Sequence, residues 1–249
     1  MSGIRRIPWA VVLRAFAIQG SWNYETLTGT GFAFVILPEL KRIYTDADAL
    51  EAAVRRHETT FNSHPYLAPL ALGAVIRMEQ DGEDPAVIDR FKAALRGSLG
   101  TLGDQLVWAG WRPISVLFAL ALLLGGVPWW AAILVFLLLY NTLHLMLMVW
   151  GLRVGLSEGR QVADRLRASL VRTTQPRLMT TGSFAVGLVL TLVIARGVPA
   201  LDPGPGPIWI ALAAAAAVAG ALWGERARRV GVAGVVALAI TGLALGVAT

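Results

Sequence analysis

The pattern of hydrophobic and polar positions along this 249-residue chain changes near residue 112. Before this point charged residues are frequent and the apolar runs are short, whereas long apolar runs dominate after it. A transmembrane helix needs about 20 predominantly apolar residues. The second half predicts five candidate spans, of which the second and fifth are long enough to cross a membrane alone: 114–127, 127–150, 180–195, 208–223 and 230–247.

The first 112 residues show three other patterns. Residues 5–19 are typical of an amphipathic helix in the membrane interface, and 46–58 and 84–96 predict solvated helices with charges of both signs. Two apolar segments, 65–78 and 95–111, are too short and too interrupted by Pro, Gly or Asp to span. They predict either re-entrant hairpins covered by protein or two buried helices of a soluble helical domain.

Composition and charge favour a membrane protein. The chain is 56% hydrophobic and 15% charged, whereas soluble domains average about 45–50% and about 25%. If the amino-terminus is cytoplasmic, every Lys and Arg except Arg196 lies on the cytoplasmic side, including those of a basic loop over residues 151–179. The positive-inside rule therefore predicts this orientation. Because the basic residues flank apolar runs, membrane anchoring is favoured over nucleic-acid binding.

Several classes of catalytic site are excluded by residue type. The chain contains no cysteine, which rules out disulfides, thiolate metal sites and a cysteine nucleophile. The glycines of residues 97–103 are not followed by the Lys and Ser/Thr of a phosphate-binding loop, and no zinc-protease motif or nucleophile elbow occurs. We expect no catalytic residue, no metal site and no cofactor in this chain.

A first polar cluster combines Asn23 and Glu25 with the aromatic residues Trp22 and Tyr24. Amide and carboxylate groups pair with the vicinal hydroxyls of a sugar, and an aromatic ring covers the C–H face of a pyranose. The alternative is a helix-to-turn junction packed by aromatic rings.

A second cluster, Asn62, Ser63 and His64, precedes Pro65. Proline disfavours helix at the preceding residue, so this segment is expected to be extended and to present its polar groups together. The alternative is that these residues cap the helix that begins at Pro65.

Two further clusters lie in more apolar surroundings. Asp104 follows the glycines of residues 97–103, and an ionisable residue at membrane depth predicts a functional site. Its alternative role is to cap a helix that starts at Gln105. Asn141 and His144 lie on one helix face, where interhelical hydrogen bonding is the expected role.

Taken in order, these clusters resemble the enzyme IID subunit of the mannose/fructose/sorbose family of the bacterial phosphotransferase system. The motifs cover residues 10–160, and hydropathy alone carries the remainder. The matching stretches are SWNYE, GFAFVILPELKRIY, RRHETTFNSHP, GAVIRMEQ and FKAALRGSLGTLGDQLVWAGWRPI, at residues 21–25, 31–44, 55–65, 73–80 and 91–114.

The resemblance implies an all-α integral membrane protein with amphipathic amino-terminal helices, two re-entrant hairpin-like segments and about five transmembrane helices. Residues 1–112 would form the transport core, and 113–249 the transmembrane helical region with the basic cytoplasmic loop. The implied location is the bacterial inner membrane, in multi-pass form. The six implied hexose-binding residues are Asn23, Glu25, Asn62, Ser63, His64 and Asp104.

The resemblance also implies partners. A membrane subunit, enzyme IIC, would share the hexose path, and soluble IIA and IIB would carry the phosphoryl group, which this chain would not. The implied assembly is a trimer of IIC–IID pairs in contact with membrane lipid. The resemblance implies no nucleic-acid partner.

The chain departs from the family pattern at Arg96, Ser98 and Gln105, where the family often has Met, Pro and a small residue. Two other functions stay open, and the departures at Arg96 and Gln105 motivate the first of them. One is a regulatory or assembly subunit that does not transport. The other is a membrane-embedded enzyme that uses Asp104 and His64 on a lipid-linked or phosphorylated substrate.

Overall fold

The structure is a computed structural model that describes residues 7–162, 177–178, 180–190 and 192–193. Regular secondary structure within these ranges is helical, apart from two isolated β-bridges. The prediction of an α-helical protein is therefore confirmed. The predicted spans 208–223 and 230–247 and residues 163–176 of the basic loop lie outside the described residues.

The order of the described helices follows the chain. They are α1 (Trp9–Ala15), α2 (Gly29–Ile43), α3 (Ala47–Glu58), α4 (Ala68–Gln80), α5 (Pro85–Gly103), α6 (Arg112–Leu124), α7 (Trp129–Glu158) and a shorter apolar helix, α8 (Thr180–Leu190). A π-helical stretch, Asp104–Trp111, joins α5 to α6, and a 3-10 turn, Gly159–Gln161, follows α7.

Side-chain caps begin the two helices that were predicted to be solvated. The Asp46 carboxylate accepts the Ala49 N–H at 2.8 Å, and the Asp84 carboxylate accepts the Ala86 N–H at 2.7 Å. Each carboxylate thereby satisfies an amide that has no partner inside its helix. The helix of residues 84–96 continues to Gly103 because no proline interrupts it.

Among the described residues, two continuous helices are long and apolar enough to cross a membrane: Pro85–Leu124 and Trp129–Gln161. The first contains residues 95–111, which were expected to be broken by Gly and Asp. The helix continues because the Asp104 N–H still bonds to the Gly100 and Thr101 carbonyls, and the following residues adopt a π-helix. A π-helical turn accommodates extra backbone without ending the helix. Re-entrant hairpins and a total of about five transmembrane helices stay predictions.

The described residues form two compact units. One comprises those within Met1–Gln105 and Asn141–Val171, and the other those within Leu106–Tyr140 and Arg172–Thr249. The assignment of a transport core to residues 1–112 and of a transmembrane helical region to residues 113–249 concerns function and stays a prediction.

The core of the first unit is built around α4, which is buried along almost its whole length. Glycines let α4 and the end of α7 approach at backbone distance. A Cβ on Gly155 would lie 2.3 Å from the Leu70 carbonyl oxygen, and one on Gly73 would lie 2.5 Å from that of Leu152. Small residues allow this kind of close helix packing.

Candidate functional site

Two of the predicted clusters lie side by side because their backbones pair. We call residues 21–28 the Asn23 turn and residues 59–66 the site loop. The Phe61 N–H donates to the Thr26 carbonyl at 3.1 Å, and the Thr28 N–H donates to the Phe61 carbonyl at 2.9 Å. The Thr60 hydroxyl adds a bond to the Glu25 carbonyl at 3.0 Å. Segments 35 residues apart in the chain therefore form one structure.

The Asn23 side chain holds its own turn together. Its Oδ1 accepts the N–H groups of Glu25 at 2.9 Å and Thr26 at 2.8 Å. Its Nδ2 donates to the Ser21 carbonyl at 3.2 Å and the Thr26 hydroxyl at 2.8 Å. An Asn side chain of this kind replaces a backbone turn. The side chain of Glu25, in contrast, is exposed.

The site loop presents its polar residues on different sides. The Asn62 side chain is exposed, whereas Ser63 and His64 are buried, His64 at 2% exposure. His64 Nδ1 accepts the Tyr66 N–H at 3.2 Å. Residues 62–64 precede helix α4 as an irregular segment, which agrees with the prediction that the residues before Pro65 are not helical.

The end of α5 meets this loop at Gly103. A Cβ on Gly103 would lie 2.1 Å from the His64 Cβ and 2.3 Å from its Cγ. Asp104 comes directly after this contact, and its side chain is exposed at the first position of the π-helix. The third cluster is therefore joined to the second through His64 and Gly103.

The long helix α7 reaches the same loop through His144. The His144 ring stacks on Tyr66 with 3.5 Å between centroids, and Tyr66 meets His64 edge-on at 5.0 Å. The Phe16 ring also meets the His144 ring edge-on, with 5.3 Å between their centroids. His144 therefore packs against protein by aromatic stacking, where an interhelical hydrogen bond was expected.

A buried ionic cluster centred on Glu79 was not found from the sequence. One carboxylate oxygen accepts Arg56 at 2.6 Å and His57 Nε2 at 2.7 Å, and the other accepts the Tyr44 hydroxyl at 2.5 Å. Burial alone would raise the pKa of Glu79, but these hydrogen bonds outweigh it and hold the pKa at about 2. The available signal was the one acidic residue of a mostly apolar helix, since a buried charge needs partners.

His57 is neutral in this cluster at neutral pH. Burial lowers the pKa of His57, and the hydrogen bond to Glu79 does not compensate for it. Within the part of the chain that the structure describes, His57 Nδ1 has no hydrogen-bond partner, so an imidazolium would leave one of its two N–H groups unsatisfied. The neutral ring donates from Nε2 to the carboxylate.

The exposed side chains of the site can accept hydrogen bonds. The exposed acceptors Glu25, Asn62 and Asp104 lie on segments that pair with or pack against one another. Carboxylate and amide oxygens accept hydrogen bonds from hydroxyl groups. Among the described residues, no three His, Asp or Glu side chains come together in a group that could hold a metal ion.

Comparison with protein families bears on this site. The family model described as PTS system mannose/fructose/sorbose family IID component matches residues 6–201. This range contains all four polar clusters and the Glu79 cluster, and it agrees with the resemblance that the motifs indicated.

Individual relatives share between a quarter and a third of their residues with this chain. The mannose-specific EIID component of Escherichia coli (strain K12) is 28% identical over 186 residues, which cover 72% of this chain and 65% of that protein. The sorbose-specific EIID component of Lacticaseibacillus casei is 29% identical over 186 residues, 73% and 65% of the two chains. The fructose permease IID component of Bacillus subtilis (strain 168) is 27% identical over 188 residues. The chain spans about 65% of the length of the first two relatives.

Two solved structures are similar to this chain. A chain in the cryo-EM structure of the mannose transporter ManYZ with microcin E492 is 27% identical, with a TM-score of 0.55 over 78% of this chain and 70% of that one. A chain described only as a membrane protein has a TM-score of 0.67 over 98% of both chains at 22% identity. The second likeness concerns the fold alone.

Proposed function

The chain belongs to the mannose/fructose/sorbose family of phosphotransferase-system IID components, and from this we propose that it is the membrane IID subunit of a sugar permease. In this proposal it forms a hexose path with an enzyme IIC subunit in the bacterial inner membrane. Soluble IIA and IIB components phosphorylate the arriving sugar. One similar structure is described as a mannose transporter, which supports the transport role.

The observation that carries the proposal is the convergence of separate motifs on the site loop. The Asn23 turn pairs with it, Gly103 at the end of α5 packs on His64, and His144 of α7 stacks on Tyr66. These contacts hold exposed acceptors beside a loop of buried polar groups.

Within the proposal the six residues have different tasks. The exposed side chains of Glu25, Asn62 and Asp104 bind sugar hydroxyls. Ser63 and His64 lie beneath them and complete the hydrogen-bonding surface, while Asn23 shapes the turn and contributes to binding through it. IIC supplies the other side of the path.

Membrane insertion of the subunit is supported by apolar surface on α7. Trp129, Trp130, Leu134 and Leu138 expose large side chains, which fits contact with lipid or with a membrane partner. We include in the proposal a cytoplasmic amino-terminus and trimers of IIC–IID pairs. Phosphorylation retains the sugar in the cell because a charged ester does not recross the bilayer.

The test is uptake of labelled mannose, fructose and sorbose in cells that lack their own hexose carriers. The chain is expressed with its IIC partner and the soluble IIA and IIB components, and each membrane subunit is omitted in turn. We expect uptake only when both subunits are present.

Asp104→Asn is expected to lower uptake by about tenfold, the effect of losing a hydrogen bond to a charged group. Asp48→Asn, at an exposed carboxylate in the first turn of α3, is the matched control and should transport normally. A stable complex that takes up none of the sugars, beside a working permease as positive control, would instead support the regulatory or assembly role.

A further inference from the structure

Lys92 is a buried cation with an unusual set of partners. It lies on α5 at 3% exposure, and its ammonium donates to the Arg56 carbonyl at 3.0 Å and to the Thr59 hydroxyl at 3.3 Å. No carboxylate of the described residues forms an ion pair with it. Desolvating a cation without such a partner disfavours folding. Its stabilising value therefore does not explain its presence.

Both partners of Lys92 lie where α3 ends and the site loop begins. Arg56 belongs to the last turn of α3, and Thr59 is the residue that follows the helix. The carbonyls of a last helical turn lack helical partners and carry partial negative charge. The Thr59 hydroxyl also donates to the Arg56 carbonyl at 2.8 Å. The Arg56 carbonyl, the Thr59 hydroxyl and the Lys92 ammonium are therefore each hydrogen-bonded to the other two.

A second contact reaches the loop from its buried side. The Lys92 ammonium lies 5.3 Å from the centre of the Phe32 ring, within the range of a cation–π interaction. Phe32 in turn packs on Phe61 at 4.7 Å. Phe61 is the residue whose backbone pairs with the Asn23 turn. Lys92 thus contacts the site loop directly at its first residue, Thr59. Through Phe32 it also reaches Phe61, the residue that pairs with the Asn23 turn.

We propose that Lys92 is a positioning residue that sets the geometry of the site loop for sugar binding. This inference rests on the proposed transport function for its sugar-binding consequence. The ammonium links α5 to the end of α3 and to the ring of Phe32. Through these two contacts it links the site loop to the segment that carries Gly103 and Asp104. Loss of the ammonium leaves the helices packed but the loop less fixed.

The first arm of the experiment compares Lys92→Met with the wild type, each as the full chain co-expressed with its IIC partner. Methionine keeps the length and most of the volume of the side chain and removes the charge. We expect the KM for the transported hexose to rise by about tenfold, with kcat changed by less than about twofold. The unfolding temperature of the purified complex should stay the same or rise, since removing a buried cation lifts its desolvation cost.

The second arm reports on the loop without sugar. Hydrogen exchange at the Thr28 and Phe61 amides, whose bonds join the loop to the Asn23 turn, should accelerate by about tenfold in Lys92→Met, while exchange inside α4 stays unchanged. Thr59→Val should give a similar acceleration. The double variant should add little to it, because both substitutions disrupt the same hydrogen bonds among Arg56, Thr59 and Lys92. Lys41→Met, which removes the exposed lysine of α2, is the matched control and should alter neither arm.

The outcomes separate this inference from the transport proposal. An unchanged KM together with a lower unfolding temperature would make Lys92 a structural residue and overturn the inference. If the wild type takes up no hexose, the transport proposal fails, and the exchange arm alone decides. Faster exchange at Thr28 and Phe61 would then uphold the positioning of the loop, and unchanged exchange would overturn it.

Discussion

His64 and Gly103 are packed so closely that position 103 has no room for a side chain. A Cβ there would lie 2.1 Å from the His64 Cβ, which is the rigid root of that side chain. The contact joins the site loop to the residue before Asp104. The distance between two of the predicted clusters therefore depends on the absence of one methyl group.

We expect Gly103→Ala to force the loop and α5 apart. Overpacking of this kind costs about 1–3 kcal/mol, which lowers the unfolding temperature of the purified protein. Hexose uptake should fall further than the change in stability explains, because His64 and Asp104 move relative to each other. Thermal unfolding and uptake measured on the same preparations check both effects.

Gly100→Ala is the matched control for this substitution. Gly100 lies one turn earlier in the same helix, and nothing lies within 4 Å of a Cβ built there. Alanine favours helix over glycine by up to about 1 kcal/mol, so this variant should be as stable as the wild type or more stable. Equal effects of the two substitutions would refute the assigned contact.

The Asn23 turn gives a second prediction. Asn23→Ala removes four hydrogen bonds within the turn and should lower stability by about 1–3 kcal/mol. Asn23→Asp keeps the acceptor for the Glu25 and Thr26 amides and should lose less. Thermal unfolding of the two variants measures the difference.

The same pair of variants distinguishes the turn role of Asn23 from a direct contact with sugar. If Asn23→Asp is nearly as stable as the wild type but has lost uptake, the amide itself binds the ligand. If uptake follows stability in both variants, Asn23 acts through the turn. An unfolding temperature unaffected by Asn23→Ala would contradict the turn role.

The Glu79 cluster predicts how stability depends on pH. In the unfolded chain the Glu79 carboxyl takes up a proton near its ordinary pKa of 4.5, whereas in the folded protein its pKa is about 2. Its contribution, about 3 kcal/mol, is complete above about pH 5 and is lost as the pH falls from 4.5 towards 2. His57 acts in the same direction, since the unfolded imidazole is protonated below pH 6.5 and the buried one resists protonation. Unfolding temperatures measured from pH 8 down to about pH 2 should decrease towards acid.

Glu79→Gln should lower stability at pH 7 by about 3–5 kcal/mol, because the mostly buried Arg56 guanidinium loses its carboxylate partner. The acid part of the profile below pH 4.5 should become flatter in this variant. Glu51→Gln removes an exposed carboxylate paired with Arg55 and serves as control. Its profile should match the wild type, since exposed ion pairs contribute about 0–1 kcal/mol.

The packing of α4 against the end of α7 gives the last prediction. Gly155→Ala places a methyl group 2.3 Å from the Leu70 carbonyl and 2.6 Å from the Ala74 nitrogen, and backbone cannot yield as a flexible side chain does. We expect strong destabilisation, seen as loss of folded protein in membranes. Gly182→Ala meets only Ile114 at 3.7 Å and should accumulate normally. Normal accumulation of Gly155→Ala would contradict this close approach.

Helix positions could be predicted from the sequence where local signals agree. The charged patterns of residues 46–58 and 84–96 predicted helices, and α3 and α5 begin at these places. The segment of residues 95–111 was predicted to be interrupted, because a local pattern of Gly and Asp weakens a helix. In the structure it stays helical through a π-turn.

The chain's own sequence determined its α-helical membrane class, the long apolar helix α7 and the motifs that place it in its family, because hydropathy and motif order are properties of neighbours in the chain. Only the tertiary structure showed that the Asn23 turn pairs with the site loop, that Gly103 packs on His64, and that Glu79 and Lys92 anchor the end of α3. Each of these contacts joins residues 20 to 40 positions apart. Such contacts depend on how helices pack against one another. The spacing of residues along the chain does not show which distant residues a given helix, loop or glycine will contact.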